Sequence, residues 1–116
     1  MRVLCRIWLD KNGKAFGEGP YNLLKRIEET GSLSRAAKEM GISYKKAWQI
    51  INNCERRLGF KLLDKRAGGK KGGGSLVTEE GKNFMKSYEE FRDEIRDFVE
   101  KTFQKYFGKD NWSLKN

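Results

Sequence analysis

The stretch GSLSRAAKEMGISYKKAWQIINNCERRLGF, residues 31–60, decides the fold that this sequence predicts. Its first part is short, carries paired alanines and ends at Gly41. Its second part is longer, apolar on one side and basic on the other. Apolar residues at steps of three and four predict two helices, and serines favour N-caps at Ser32 or Ser34 and at Ser43. Two helices joined by a tight glycine-containing turn are typical of a helix-turn-helix.

The residues before this stretch predict a β-hairpin and a further helix. The alternating apolar pattern from Val3 to Leu9 predicts a strand, and Asn12-Gly13 predicts a tight turn because both residues tolerate positive φ. With a short return strand over Lys14 to Gly17, we expect a hairpin over residues 2–17. Pro20 is well suited to the first position of the helix that follows.

The residues after this stretch predict a second hairpin, which would form a wing. Residues 61–67 and 75–78 each predict a strand, and five glycines surround Lys70-Lys71 in the connector. These glycines do not have the spacing of a phosphate-binding P-loop. We therefore expect a mainly α fold with small β elements (α+β), namely a winged helix-turn-helix domain over residues 1–77, with the helix-turn-helix at 32–58 and the wing at 61–78.

The rest of the chain predicts one long helix over residues 78–108 and a frayed tail over 109–116. The apolar residues of the helix alternate steps of four and three, the heptad rhythm of helices that pair. A single helix cannot bury all of them against so small a core, which favours the same helix of a second chain as partner. The alternative is a helix that folds back on its own domain. The predicted dimer interface is Phe84, Tyr88, Phe91, Ile95, Phe98 and Val99.

Charge is segregated along the chain. Lys and Arg number 25 against 16 Asp and Glu, which gives a net charge of +9. Residues 31–77 hold eleven basic and three acidic side chains, whereas residues 78–107 hold six basic and eight acidic ones. Surface lysines often only keep a protein soluble, but a localised basic region is typical of phosphate binding. The sequence therefore favours double-stranded DNA as the partner.

The sequence lacks the residues that are characteristic of several other classes of protein. With no histidine, no CxxC pair and no nucleophile–base constellation, the sequence predicts neither an enzyme, nor a metal site, nor a cofactor. Cys5 and Cys54 lie far apart, so we expect free thiols in a cytoplasmic protein, with a disulfide as the alternative. The N-terminus does not resemble a signal peptide, and no apolar run is long enough to cross a membrane.

The polar residues of the second helix are the candidates for contact with bases. Gln49 suits bidentate pairing with adenine, and Lys45 or Lys46 suits guanine or phosphate. Tyr44 either contacts DNA or packs on Trp48, four residues further on. The predicted DNA-binding residues are Ser43, Tyr44, Lys45, Lys46, Gln49 and Asn52 on the recognition helix, and Arg35, Arg56, Lys65, Arg66, Lys70 and Lys71 for the DNA backbone and wing.

Three stretches resemble the N-terminal domain of the molybdate-responsive transcriptional regulator (ModE) family. They are WLDKNGKAFGEGPYNLLKRIEETGS, GSLSRAAKEMGISYKKAW and LGFKLLDKRAGGKKGGGSLVTEEGK, and the resemblance covers about Ile7 to Tyr88. The SYKKAW motif and the glycine-rich wing are its most specific parts, although Val77 stands beside Leu76 where the family has leucine before threonine. The looser pattern AAKEMGIS…ERRLGFKLLDKR is also similar to LysR-type regulators.

This resemblance implies a homodimeric DNA-binding domain in which the long helix joins the two chains. Family members with a sensor carry a C-terminal oxyanion-binding module, for which a chain ending at Asn116 leaves no room. Molybdate binding is therefore not carried over to any residue, and a separate sensor protein is one expectation. The expected function is sequence-specific regulation of transcription as a homodimer, and the alternative is non-specific DNA packaging or RNA binding by the same basic face.

Overall fold

A computed structural model describes residues 1–66 and 74–108, with the backbone alone for Lys65 and Arg66. It confirms the predicted α+β winged helix with a long C-terminal helix. No helix within the described residues is both long enough and apolar enough to cross a membrane. The elements in chain order are β1 (Leu9–Asp10), β2 (Lys14–Phe16), α1 (Glu18–Thr30), α2 (Leu33–Glu39), α3 (Tyr44–Leu58), β3 (Leu63–Arg66), β4 (Gly74–Val77) and α4 (Glu79–Phe107).

Side-chain caps fix where the helices begin. The Ser32 hydroxyl accepts a hydrogen bond from the Arg35 backbone N–H at 3.0 Å, and the Ser43 hydroxyl accepts one from Lys46 N–H at 3.0 Å. Thr78 caps α4 in the same way. Each cap satisfies one of the backbone donors that a helix N-terminus leaves without a partner. The predicted start of α3 at Ser43 is confirmed, and Ser32, not Ser34, caps α2.

Glycines end α1 and α3 in the left-handed conformation. Gly31 has φ 71° and Gly59 has φ 89°, backbone angles that residues with a Cβ atom rarely adopt. The prediction for Pro20 was wrong by two residues, since α1 begins at Glu18. A proline at this third position costs no hydrogen bond, because the first N–H groups of a helix have no partner within it.

The N-terminal hairpin is shorter than predicted. Its turn lies at Asn12-Gly13 as expected, but the paired residues are Leu9 with Phe16 and Asp10 with Lys14. Residues 3–8 form no strand, because β2 ends at Phe16 and offers them no partner. Side chains in this segment still alternate between half-buried and exposed. The carbonyl of Ile7 instead accepts a hydrogen bond from the Tyr88 hydroxyl of α4 at 2.9 Å.

The core lies where the three short helices meet the first half of α4. Phe16 contacts the rings of Phe84 and Tyr88 edge-on, with centroids 4.9 and 5.1 Å away. The ring centroids of Tyr21 and Tyr88 lie 5.6 Å apart, and so do those of Phe60 and Phe84. Aromatic pairs of this kind stabilise by about 0.5–1.5 kcal/mol each beyond the area that they bury. The hairpin, α1 and α4 are therefore joined through one aromatic cluster.

The wing stem is bonded to the helix-turn-helix at two places. Strands β3 and β4 pair antiparallel from Leu63–Val77 to Arg66–Gly74. The Ser75 N–H donates to the carbonyl of Gly31, in the turn between α1 and α2, at 2.9 Å. The predicted wing tip with Lys70 and Lys71, and the tail 109–116, lie outside the described residues.

Glu55, on α3, supplies the second of these links. Its carboxylate accepts hydrogen bonds from the backbone N–H groups of Leu62 and Leu63 at 2.8 and 3.2 Å. Its side chain is only 11% exposed, and the ion pair with the exposed Lys61 at 3.7 Å adds little. The end of α3 thereby fixes the start of the wing.

We predict that Glu55→Ala lowers the free energy of unfolding by about 1–3 kcal/mol, because two N–H groups beside the core lose their acceptor. Urea denaturation measures this change. Glu55→Gln keeps one acceptor oxygen and should lose less. The control is Glu28→Ala, an exposed residue of α1, which should stay within about 0.5 kcal/mol. Equal stability of Glu55→Ala and Glu28→Ala would contradict the role of Glu55.

Candidate nucleic-acid interface

Helix α3 has one buried face and one fully exposed polar face. Ala47, Ile51 and Cys54 are buried against α1 and α2. Residues at steps of four, three and four lie on the opposite side of the helix, and all of them are exposed. We call this row the α3 stripe: Lys45, Gln49, Asn52 and Arg56.

The first turn of α3 is also exposed. Ser43 acts as the N-cap, so its hydroxyl is engaged in a structural bond. Tyr44 is 49% exposed, and its hydroxyl accepts a hydrogen bond from the indole N–H of Trp48 at 2.9 Å. The predicted contact between these two side chains is therefore present as a hydrogen bond. Lys46 is exposed next to the α3 stripe.

The α3 stripe is free of acidic side chains. Glu55 is the one acid of α3, and it is turned towards the wing backbone. Glu39, on α2, forms an ion pair with Arg26 of α1 at 3.7 Å. The positive charge of Lys45 and Arg56 is consequently not neutralised within the helix that carries it, which favours an anion over the stripe.

The two arginines at the end of α3 have different surroundings. Arg56 is exposed, and its guanidinium donates to the side-chain oxygen of Asn53 at 2.5 Å. Arg57 is half-buried and donates to the backbone carbonyl of Asn12 in the hairpin turn. Arg57 therefore fastens the hairpin to α3. Asn53 was not among the predicted DNA-binding residues, although it is exposed one turn beyond Gln49 on the polar side of α3.

Of the residues predicted to contact the DNA backbone, Arg35 and Arg56 are described with their side chains, and both are exposed. Arg35 lies in the first turn of α2, four residues after Gly31, whose carbonyl accepts the hydrogen bond from the wing strand β4. Lys65 and Arg66 belong to β3, opposite Ser75 and Gly74, but their side chains are outside what the structure describes, as are Lys70 and Lys71.

The six predicted dimer residues divide into two groups. Tyr88 is 2% exposed and Phe84 is half-buried, because both belong to the aromatic cluster of their own chain. Val99 is half-buried beside Val3 and Leu4. The other three are exposed by 49%, 38% and 70%, and we call them the α4 apolar stripe: Phe91, Ile95 and Phe98.

A helix-turn-helix followed directly by a β-hairpin, with polar and basic residues along its second helix, defines a winged-helix DNA-binding domain. The family model described as bacterial regulatory helix-turn-helix protein, lysR family, matches residues 21–82, more than half of the chain. The chain belongs to this family.

The chain is also similar to members of the ModE family, which confirms the predicted resemblance. It is 38% identical over 88 residues to the molybdenum transport protein ModE of Azotobacter vinelandii, covering 75% of this chain and 33% of the relative. It is 41% identical over 68 residues to the DNA-binding transcriptional dual regulator ModE of Escherichia coli K12, covering 59% and 26%. Over 80 residues it is 36% identical to the molybdenum-pterin-binding protein MopB of Rhodobacter capsulatus, covering 69% and 30%. The chain spans a quarter to a third of the length of these relatives.

Cys54 lies on the buried face of α3 and should be chemically inert. Burial, and secondarily the neighbouring Glu55 carboxylate, raise the pKa of its thiol to about 11. Because the thiolate is the reactive form, we predict that iodoacetamide at pH 8 modifies Cys5, which is half-buried, well before Cys54. Peptide mass spectrometry after timed quenching measures both rates, and a urea-unfolded sample serves as control, in which the two cysteines should react alike. Rapid modification of Cys54 in the folded protein would show that the α3 face opens readily.

Proposed function

We propose that this chain is a sequence-specific regulator of transcription that binds operator DNA as a homodimer and acts in the cytoplasm without catalysis. The observation that carries the proposal is the α3 stripe, an exposed, acid-free row of basic and amide side chains on the second helix of a helix-turn-helix. Such a helix fits the major groove of B-DNA, where each base pair presents a distinct set of donors and acceptors.

The residues of α3 have separate roles in this proposal. Gln49 pairs with an adenine edge, and Lys45 and Lys46 bind guanine or phosphate near the N-terminus of the helix. Ser43 and Tyr44 lie at the same end, within reach of base edges or phosphates. Further groups bind phosphates and hold the helix in register: Asn52 and Arg56 on α3, Arg35 on α2, and Lys65, Arg66, Lys70 and Lys71 in the wing.

The proposed dimer forms through the α4 apolar stripe. Phe91, Ile95 and Phe98 recur at steps of four and three, which brings them to one seam when two helices pack along each other. A two-fold dimer presents two α3 helices to two half-sites. The half-sites would lie about 34–36 Å apart, one turn of DNA, or a multiple of it.

Selection of binding sites from a random duplex pool, at two salt concentrations, tests this function. We expect enrichment of a palindromic motif whose recovery survives moderate salt. Binding without an enriched motif, with an affinity that falls steeply as salt rises, would instead assign the chain to non-specific DNA packaging. A preference for RNA over the DNA pool would assign it to RNA binding.

We predict that the triple substitution Lys45→Ala, Lys46→Ala and Gln49→Ala removes the preference for the selected motif. The loss should be roughly 5- to 150-fold per base contact removed, because each good contact with a base edge contributes roughly 1–3 kcal/mol of discrimination. Fluorescence anisotropy with specific and scrambled duplexes measures the ratio of affinities.

The matched control for this variant is Lys82→Ala with Lys86→Ala, which removes two lysines from the exposed side of α4. It should weaken binding to both duplexes slightly and leave their ratio unchanged. Circular dichroism confirms that each variant is folded. An unchanged affinity ratio in the triple variant would refute the assignment of α3 as the reading helix.

We predict that Phe98→Glu converts the dimer into a folded monomer. Phe98 is 70% exposed in the single chain, so the substitution leaves the core intact and places a charge in the proposed seam. Sedimentation velocity measures the oligomeric state. Affinity for the two-half-site operator should fall by about a hundredfold or more, because the half-sites are then bound independently. Gln104→Glu places the same charge on the opposite side of α4 and should leave the dimer intact.

A further inference from the structure

One carboxylate at the start of α1 binds two arginines of α4 and lies near a tyrosine hydroxyl of the same helix. The Glu18 Oε2 atom lies 2.7 Å from Nη2 of Arg96, 3.5 Å from Nη1 of Arg92 and 3.5 Å from the hydroxyl of Tyr88. Glu18 lies in the first turn of α1, where a negative charge also interacts favourably with the helix dipole. We call these residues the Glu18 cluster: Glu18, Tyr88, Arg92 and Arg96.

The same α4 residues also hold the N-terminal segment. The Tyr88 hydroxyl donates to the carbonyl of Ile7 at 2.9 Å, and the Arg96 guanidinium lies 3.5 Å from the carbonyl of Cys5. Two separate parts of the chain thus contact α4 at these residues: the segment before β1 and the first turn of α1. Both contacts restrict the direction of α4 relative to α1.

A neighbouring pair strengthens this contact. The Arg92 guanidinium lies over the ring of Tyr21, 4.9 Å from its centroid, and its side chain is only 12% exposed. The Tyr21 hydroxyl donates to the Glu89 carboxylate. Burial, and then this hydrogen bond to Glu89, raise the pKa of Tyr21 to about 12.

The cluster lies at the point where α4 leaves the body of the domain. The buried residues of α4 are Gly81, Met85 and Tyr88, whereas the α4 apolar stripe begins at Phe91. The start of α4, up to Tyr88, thus packs within the DNA-binding domain, and from Phe91 onward the α4 apolar stripe is available to a partner. The Glu18 cluster occupies the junction between these two parts of the helix.

We infer that Glu18, with Arg92 and Arg96, sets the angle between the dimer helix and the DNA-binding body, and thereby the spacing of half-sites that the dimer accepts. This inference rests on the proposed function. A rotation of about 10° moves a point about 20 Å from the pivot, a distance typical of a domain of this size, by roughly 3.5 Å. That displacement is about the rise of one base pair. A change of about 10° at the junction therefore corresponds to a change of one base pair in the preferred spacing.

Glu18 is a positioning residue and touches no DNA. The core of the domain is held by the aromatic cluster and by buried aliphatic side chains, which do not need the carboxylate. Glu18 is 27% exposed and Arg96 is 40% exposed, so their ion pair contributes modestly to stability. The fold and the dimer should consequently survive its removal, while the angle of α4 becomes less restricted.

The test compares full-chain wild type with Glu18→Gln on one operator whose two half-sites are separated by spacers that differ by single base pairs. We expect wild type to prefer one spacing. Glu18→Gln should keep the same half-site sequence and the same dimer, while its preference for the best spacing over its neighbours falls by about fivefold. That fold-change corresponds to about 1 kcal/mol. Glu18→Asp keeps the charge and should restore part of the preference, and Glu29→Gln, an exposed acid of the same helix, should leave it unchanged.

Each outcome of this comparison has a distinct meaning. A Glu18→Gln dimer with the wild-type spacing profile overturns the inference and leaves the proposed function standing. A wild-type protein that selects no motif overturns the proposed function, and the inference with it. Arg96→Gln breaks the 2.7 Å contact from the side of α4, and it decides the question in the same way if Glu18→Gln fails to fold.

Discussion

The rest of the structure depends on the packing of Tyr88 in the core. Its ring packs against Phe16 of the hairpin and Tyr21 of α1, and its hydroxyl donates to the carbonyl of Ile7. An aromatic ring fills the core while its polar tip requires a partner, so this side chain fixes both the depth and the rotation of α4. Strand β4 leads directly into α4, so the position of α4 also holds β4 against the turn before α2. Strand β3 pairs with β4, which places the whole wing stem.

Helix α4 therefore contributes both to the core of its own domain and to an exposed apolar surface. It buries Gly81, Met85 and Tyr88 against its own domain, and further along it exposes Phe91, Ile95 and Phe98. A continuous helix transmits orientation well, because every residue is tied to its neighbours by backbone hydrogen bonds. The proposed pairing surface and the proposed DNA-reading surface are consequently related by rigid geometry and not by a flexible linker.

Local sequence signals were sufficient for the helix-turn-helix. The Ser43 cap, the Gly59 end and the spacing of Ala47 and Ile51 lie within one segment, so α3 and its exposed face follow from neighbours in the chain. The N-terminal strand was predicted too long, because alternation indicates two faces and does not indicate whether a partner strand exists. Likewise the heptad rhythm marked Tyr88 as apolar without saying which chain would bury it.

The Glu18 cluster was not foreseen for a related reason. Its members are separated by 74 and 78 residues, and in the sequence Arg92 and Arg96 look like ordinary surface charges of a long helix. Only the fold brings them to the first turn of α1. Of the predicted DNA contacts, those on α3 depended on local pattern alone, which is why they could be named before the fold was known. Whether they bind DNA stays a prediction.

The exposure of the α3 stripe also bears on how such a protein changes over generations. Lys45, Gln49 and Asn52 are exposed, and no hydrogen bond of their side chains to another described residue contributes to the fold. Substitutions at positions of this kind usually change stability by less than about 0.5 kcal/mol. The scaffold can therefore accept a new set of side chains on this face without losing its fold, and a duplicated gene could acquire a different target sequence through a few single-residue changes.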